Sequence, residues 1–183
     1  MVSWYDAAAY CNRLSEREGI AREQWCYVPN DKGDYAEGMT VKANALSLSG
    51  YRLPAEAEWE LACRAGSVTP WAMGEAEDLL GKYAWYAVNS PSQSRPVGSL
   101  RPNDLGLFDL HGNAWEWCNN RFVEFTDMRD RKTDDKVDNN SIRPARGGAF
   151  NGVPLVLRSA SRGGLVPAIR GFGFGVRPAK TFP

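Results

Sequence analysis

Residues 50–66 read GYRLPAEAEWELACRAG (Gly50–Gly66), and the rest of the chain is read outward from them. Pro54 suits the first turn of a helix and Gly66 suits its end, so a helix is expected from Pro54 to about Ala65. Trp59 and Cys63 lie four residues apart on one face, and Glu56 and Glu60 four apart on another. Two carboxylates at that spacing could serve acid–base chemistry, but an exposed helix surface is the simpler expectation. Upstream, Ser3 and Asp6 have the spacing of a capping box. Trp4, Ala7 or Ala8, Cys11 and Leu14 then recur at helical spacing, which predicts an amphipathic helix over 4–17 ended by Gly19. Between the two helices, Trp25–Val28 and Met39–Lys42 are strand-like runs around Asp31-Lys32-Gly33, the pattern of a hairpin. Asp31, Asp34 and Glu37 do not fit an EF-hand and read as a solvated turn.

Downstream of Trp71 the chain is turn-rich, with no helical periodicity beyond a turn at Glu75–Leu80. Glu124 to Asp138 is a mixed-charge run expected to be an exposed loop. At 183 residues with no linker, the chain is expected to form one domain over 1–183. Its formal net charge of zero gives no electrostatic reason for nucleic acid or an anionic membrane as partner. No apolar run approaches the roughly 18 residues of a membrane span. The N-terminus lacks a basic-then-apolar signal pattern, which favours a cytoplasmic setting. Cys11, Cys26, Cys63 and Cys118 form no CxxC pair, so a zinc site is not expected. Buried free thiols are expected, with Cys11 and Cys26 the first pair to test for a disulfide.

Five segments then fall in a telling order: VSWYDAAAYC (Val2–Cys11), Gly50–Gly66, NDLGLFDLHGNAWEWC (Asn103–Cys118), ARGGAF (Ala145–Phe150) and LRSASR (Leu157–Arg162). Together they closely resemble the formylglycine-generating-enzyme (sulfatase-modifying-factor) domain family over nearly the whole chain. The resemblance implies an α+β, C-type-lectin-like fold with two helices, short twisted antiparallel strands and much irregular structure. Two departures stand out. Family members usually carry several tens of residues before the VSWYDA motif, including a strand that pairs with the end of the domain. A chain without them is expected to leave an edge strand unpaired or to recruit a partner chain in their place. The enzymes of the family also place two copper-binding cysteines just after RGGS, because soft thiolates suit Cu(I). Here Arg146-Gly147-Gly148 is followed by Ala149-Phe-Asn-Gly-Val-Pro-Leu-Val156, without cysteine. No copper and no oxidase activity of the known type are expected.

The resemblance also implies a calcium-binding segment at Phe108–Trp117. Asp109 and Glu116 would give carboxylate oxygens and Gly112 and Ala114 carbonyl oxygens to a structural Ca²⁺; the alternative is a metal-free loop in which Glu116 bonds nearby backbone. His111, the only histidine, is expected to support the turn rather than to catalyse. Trp115 and Trp117, either side of Glu116, are expected to pack beneath a binding face. Arg146, Arg158, Arg162, Arg170 and Arg177 frame the C-terminal segment. They are expected to brace loops against carbonyls and buried acids such as Glu116, with phosphate or carboxylate binding as the alternative.

One branch of this lectin-like family diversifies that same segment through retroelements, whose error-prone copying randomises adenines, often in AAC codons. Such codons cannot become Lys, Glu, Gln, Met or Trp. None of those five residues occurs in Pro144–Ala179, although all occur elsewhere in the chain. The candidate ligand-binding positions within this segment (144–179) are Phe150, Asn151, Gly152, Val153, Leu155, Val156, Ser161, Gly163, Gly164, Leu165, Val166, Ile169, Gly171 and Phe172. If the aliphatic members point outward they form a patch suited to an apolar ligand or a protein epitope; if inward, they are core. The expected function is non-enzymatic binding of a protein or other macromolecule by a variable face. The alternatives are a formylglycine-generating or related oxidoreductase, and an accessory domain docking on another chain.

Overall fold

A computed structural model describes residues 1–90, 92–123 and 136–182, so most of the expected loop at Glu124–Asp138 lies outside the described residues. Helix α1 spans Trp4–Arg17. Its capping box is formed: Ser3 Oγ accepts from the Asp6 N–H, and the Asp6 carboxylate accepts from the Ser3 N–H. The buried stripe holds Trp4, Ala7, Ala8 and Cys11 as expected, then Ser15 in preference to Leu14. Ser15 turns inward because its hydroxyl joins two elements, donating to Cys11 O and accepting from the Tyr51 N–H.

Strands β1 (Tyr27–Val28) and β2 (Thr40–Val41) pair antiparallel, as the hairpin reading predicts. The turn is organised by Asn30, whose side-chain oxygen accepts from the N–H groups of Lys32 and Asp34. Strand β3 (Tyr51–Arg52) leads into helix α2, Glu56–Arg64. That helix starts two residues later than the proline suggested, because the Glu58 carboxylate accepts from the Ala55 N–H and fixes the first turn there. Ala65, not Gly66 alone, takes the left-handed conformation at its end.

The C-terminal part supplies β5 (Arg143–Arg146), β6 (Arg162–Leu165), β7 (Phe174–Gly175) and β8 (Ala179–Lys180), with β4 (Trp115–Trp117) before them. Strand β8 returns to pair antiparallel with β3. The largest sheet among the described residues has the order β6-β5-β4-β7, antiparallel except for the parallel pair β4–β7. The main core lies where α1 meets this sheet, around Trp4, Tyr27, Leu53, Trp117 and Ala145. Trp117 stacks on Phe174 with ring centroids 5.0 Å apart. Two helices, short strands and long irregular connections are the α+β, C-type-lectin-like arrangement. All four cysteines are buried and free, so Cys11 and Cys26 form no disulfide.

Candidate functional site

The site is built on the turn after β5. Gly148 has φ +77°, and a Cβ there would meet Leu157 Cδ1 at 2.8 Å, so Arg146-Gly-Gly is a steric requirement of the turn. Beyond it the chain forms a short 3-10 turn, Pro154–Leu157, then β6 and a loop to β7. Leu157 plugs this turn into the interior and is fully buried. His111 holds it from beneath, its Nδ1 2.8 Å from Leu157 O and its Nε2 accepting from the Ala72 N–H. Burial keeps the His111 imidazole below its ordinary pKa and therefore neutral, against a weaker opposing pull from the Leu157 carbonyl. His111 is thus a pin for the turn.

All five arginines of the frame donate to carbonyls or acids. Arg146, buried, reaches Glu56 at 2.7 Å, Glu60 at 2.6 Å and Ser159 O at 2.6 Å, and its guanidinium lies over the Trp59 ring. Arg162 forks onto Glu56 and also donates to Val123 O. Arg177 bonds both oxygens of Glu116 and the carbonyl of Phe108. Arg170 pairs with Asp6 at the surface, and Arg158 donates to Leu155 O. The expectation of an exposed surface at Glu56 and Glu60 is therefore corrected: both carboxylates face the arginine frame and tie α2 to β5, with Glu56 also tying it to β6. Sequence carried a signal for this. No Asp or Glu occurs in residues 139–183, so any carboxylate of this sequence that pairs with a cation of the segment lies upstream.

The candidate binding positions divide into two sets. Val153, Leu155 and Phe172 are 53%, 61% and 82% exposed, and Asn151, Gly164, Val166 and Ile169 are also exposed. Phe150 is buried, and Leu165 packs against the main core through the sheet. Val156 packs against Leu157 and Trp71, while Gly152, Ser161, Gly163 and Gly171 are half-buried. The inward-facing residues have structural partners, and the outward-facing ones come from two stretches. Just beyond their ends the backbone comes close at a buried point, where a Cβ on Gly173 would lie 3.1 Å from the Ala149 Cβ.

Asp109, Gly112, Ala114 and Glu116 lie on the segment running into β4. Gly112 sits at φ +77°, and a Cβ there would collide with the Trp85 carbonyl. These residues do not fit a hard cation as they are arranged. The Glu116 carboxylate accepts from Trp59 Nε1 as well as from Arg177, and Asp109 accepts from the Gly98 N–H at 2.7 Å. Burial alone would lower the Arg177 pKa, but Glu116 and then Asp109 more than offset it. A guanidinium thus already supplies the positive charge that calcium would bring.

Comparison with known proteins places this geometry. A family profile, the sulfatase-modifying factor enzyme 1-like domain, matches residues 1–182. The structure of Treponema denticola variable protein 1 is similar with a TM-score of 0.82 and 30% identity, covering 98% of this chain and 69% of that one. The crystal structure of CarF is similar with a TM-score of 0.72 and 28% identity, covering 100% of this chain and 66% of that one. Chaperone protein LppX of Paenibacillus barcinonensis is 34% identical over 139 residues, 64% of this chain and 49% of that protein. The formylglycine-generating enzyme of Mycobacterium tuberculosis is 36% identical over 86 residues, 40% of this chain and 28% of the enzyme. The chain spans about half or less of the length of these two curated relatives.

Proposed function

The chain belongs to the sulfatase-modifying factor enzyme 1-like family, and on that premise we propose that it is a non-enzymatic ligand-binding protein with a variable face within Phe150–Phe172. The observation that carries this reading is the division of that segment. Residues with structural partners are locked inward, while Val153, Leu155 and Phe172 stand exposed on an arginine-braced scaffold. Exposed apolar residues on a rigid frame are what a protein-binding surface needs. The absence of Lys, Glu, Gln, Met and Trp from Pro144–Ala179 supports diversification at adenines, and the likeness to a Treponema variable protein supports the same class.

The copper chemistry of the family's enzymes does not fit this donor set. No thiol follows Gly148 in the sequence; the four cysteines are buried and free, and Cys63, which reaches the segment in space, donates its S–H to Ser159 Oγ at 3.6 Å. Burial pushes the thiols up, to about 12 at Cys63 and about 11 at Cys26, which disfavours the thiolate a soft metal requires.

Two experiments test the two halves of the proposal. Copper-loaded protein incubated with a cysteine-containing sulfatase peptide should form no aldehyde by mass spectrometry; formylglycine in the peptide would overturn the non-enzymatic half. Sequencing the gene across many cells should find substitutions at adenines confined to codons 150–172, beside a near-repeat and a reverse transcriptase gene. An invariant gene with no near-repeat would remove the variable face.

A further inference from the structure

From residue 139 onward the chain contains no acid and seven cations: Arg143, Arg146, Arg158, Arg162, Arg170, Arg177 and Lys180. Five of them pair with carboxylates from earlier in the chain: Arg146 with Glu56 and Glu60, Arg162 with Glu56, Arg170 with Asp6, Arg177 with Glu116 and Lys180 with Glu18. Arg143 is buried over Trp4. Arg158 differs from all of these. It is exposed, and no carboxylate among the described residues lies within ion-pair distance.

Its position is fixed all the same. Arg158 Nε donates to Leu155 O at 2.9 Å, and that carbonyl also accepts from Ser161 Oγ. The Ser159 N–H donates to Pro70 O, and the buried Leu157 side chain anchors the turn. Neither Nη group has a hydrogen-bond partner among the described residues, and the exposed Leu155 and Val153 lie three and five residues back along the same turn. The link from Ser159 to Pro70 brings up the loop that carries Val68, which is also almost wholly exposed.

A guanidinium held by Nε and open at both Nη atoms is a fork shaped for a carboxylate. Exposed aliphatic groups beside it favour an apolar neighbour and lower the water content around the pair, which strengthens it. We propose that the partner of this face is a protein segment that presents an aspartate, glutamate or C-terminal carboxylate next to aliphatic or aromatic side chains, and that Arg158 binds this carboxylate. The inference rests on the ligand-binding reading above and deepens it by naming the partner's chemistry.

The test is selection from a displayed library of random peptides on the immobilised full chain. Recovered sequences should be enriched in Asp or Glu adjacent to Leu, Ile, Val or Phe. Synthetic versions should bind about tenfold more weakly to the Arg158→Gln variant, the loss of a charge-assisted fork, and more weakly still to Arg158→Glu. Raising salt should weaken binding to the parent protein, and the melting temperature of Arg158→Gln should match the parent's. Peptides without acidic enrichment, or equal binding by Arg158→Gln, would overturn this inference while leaving the binding reading intact. Recovery of no sequence above background would overturn both.

Discussion

Arg146 is the residue on which the candidate face depends most. Its guanidinium is buried yet meets two carboxylates, a carbonyl and the Trp59 ring. Replacing it with Met keeps the bulk but leaves Glu60 and the Ser159 carbonyl without that donor, and Glu56 with Arg162 alone. A buried pair broken from one side typically costs about 3–5 kcal/mol. Arg146→Met should show that loss in urea unfolding; a loss below about 1 kcal/mol would mean the network does not hold the turn. Acid should attack the fold in two stages. The folded-state pKa of His111 lies below the ordinary imidazole value, so the unfolded chain takes up the proton first. His111 therefore contributes stability that is present above about pH 6.5 and is lost as pH falls below it. Burial raises the Glu60 and Glu58 carboxyls, but bonds from Arg146 and Arg64, and from Arg52 and the Ala55 N–H, outweigh it and hold both below the ordinary range. Their contribution is present above the unfolded carboxylate pKa and drains away as pH falls through the lower folded values. The urea midpoint should thus decline first below about pH 6.5 and again in the carboxylate range, and His111→Gln should lack the first decline. The bracing role of the arginines was legible because their spacing repeats the LRSxxR pattern of the family, here Leu157–Arg162. Their partners on α2 were not, since two glutamates at i, i+4 look the same whether they face water or a guanidinium.

The 3-10 turn Pro154–Leu157 shows at the scale of one element how the segment separates scaffold from surface. Leu157 is fully buried under Gly148 and against the Trp71 cluster, while Leu155, two residues earlier, is 61% exposed. Leu157→Ala should therefore destabilise by about 2–5 kcal/mol, the range for a core leucine truncated without collapse. Leu155→Ser should stay within about 0.5 kcal/mol of the parent. Parallel thermal or chemical denaturation of the two variants decides the matter, and equal losses would show that Leu155 is core and not face. Helix α1 was readable because 14 residues give the apolar stripe room to repeat, and α2 because Pro54 and Gly66 mark its ends. The sheet was far less so. Every strand among the described residues has two to four residues, β6 is Arg-Gly-Gly-Leu, and β5 is buried along its whole length, so an alternating pattern has no room to appear.

Across the whole molecule, the acid-free C-terminal segment is closed onto the rest of the chain by charge pairs and by β8 returning to β3. The exposed pairs, Arg170 with Asp6 and Lys180 with Glu18, contribute little to stability. The consequential closure is Arg177 on Glu116, at the middle of the largest sheet, where β4 lies between β5 and β7. The motif Phe108–Trp117 made Glu116 legible as a functional or structural acid. It could not tell calcium from a guanidinium, because the guanidinium arrives from 61 residues further along the chain. The two possibilities differ in a property of the entire fold. A resident Ca²⁺ that binds only the native state would raise the melting temperature in proportion to the logarithm of its concentration. With Arg177 holding both Glu116 oxygens, a calcium ion would have to displace a half-buried, doubly hydrogen-bonded cation first. Millimolar Ca²⁺ and excess chelator should therefore leave the melting temperature of the parent unchanged. In Arg177→Met the carboxylate loses that cation, and the variant should melt lower and recover part of the difference on adding Ca²⁺. A calcium-dependent rise in the parent itself would mean that Glu116 exchanges Arg177 for the metal, and that the closure of the fold is metal-linked after all.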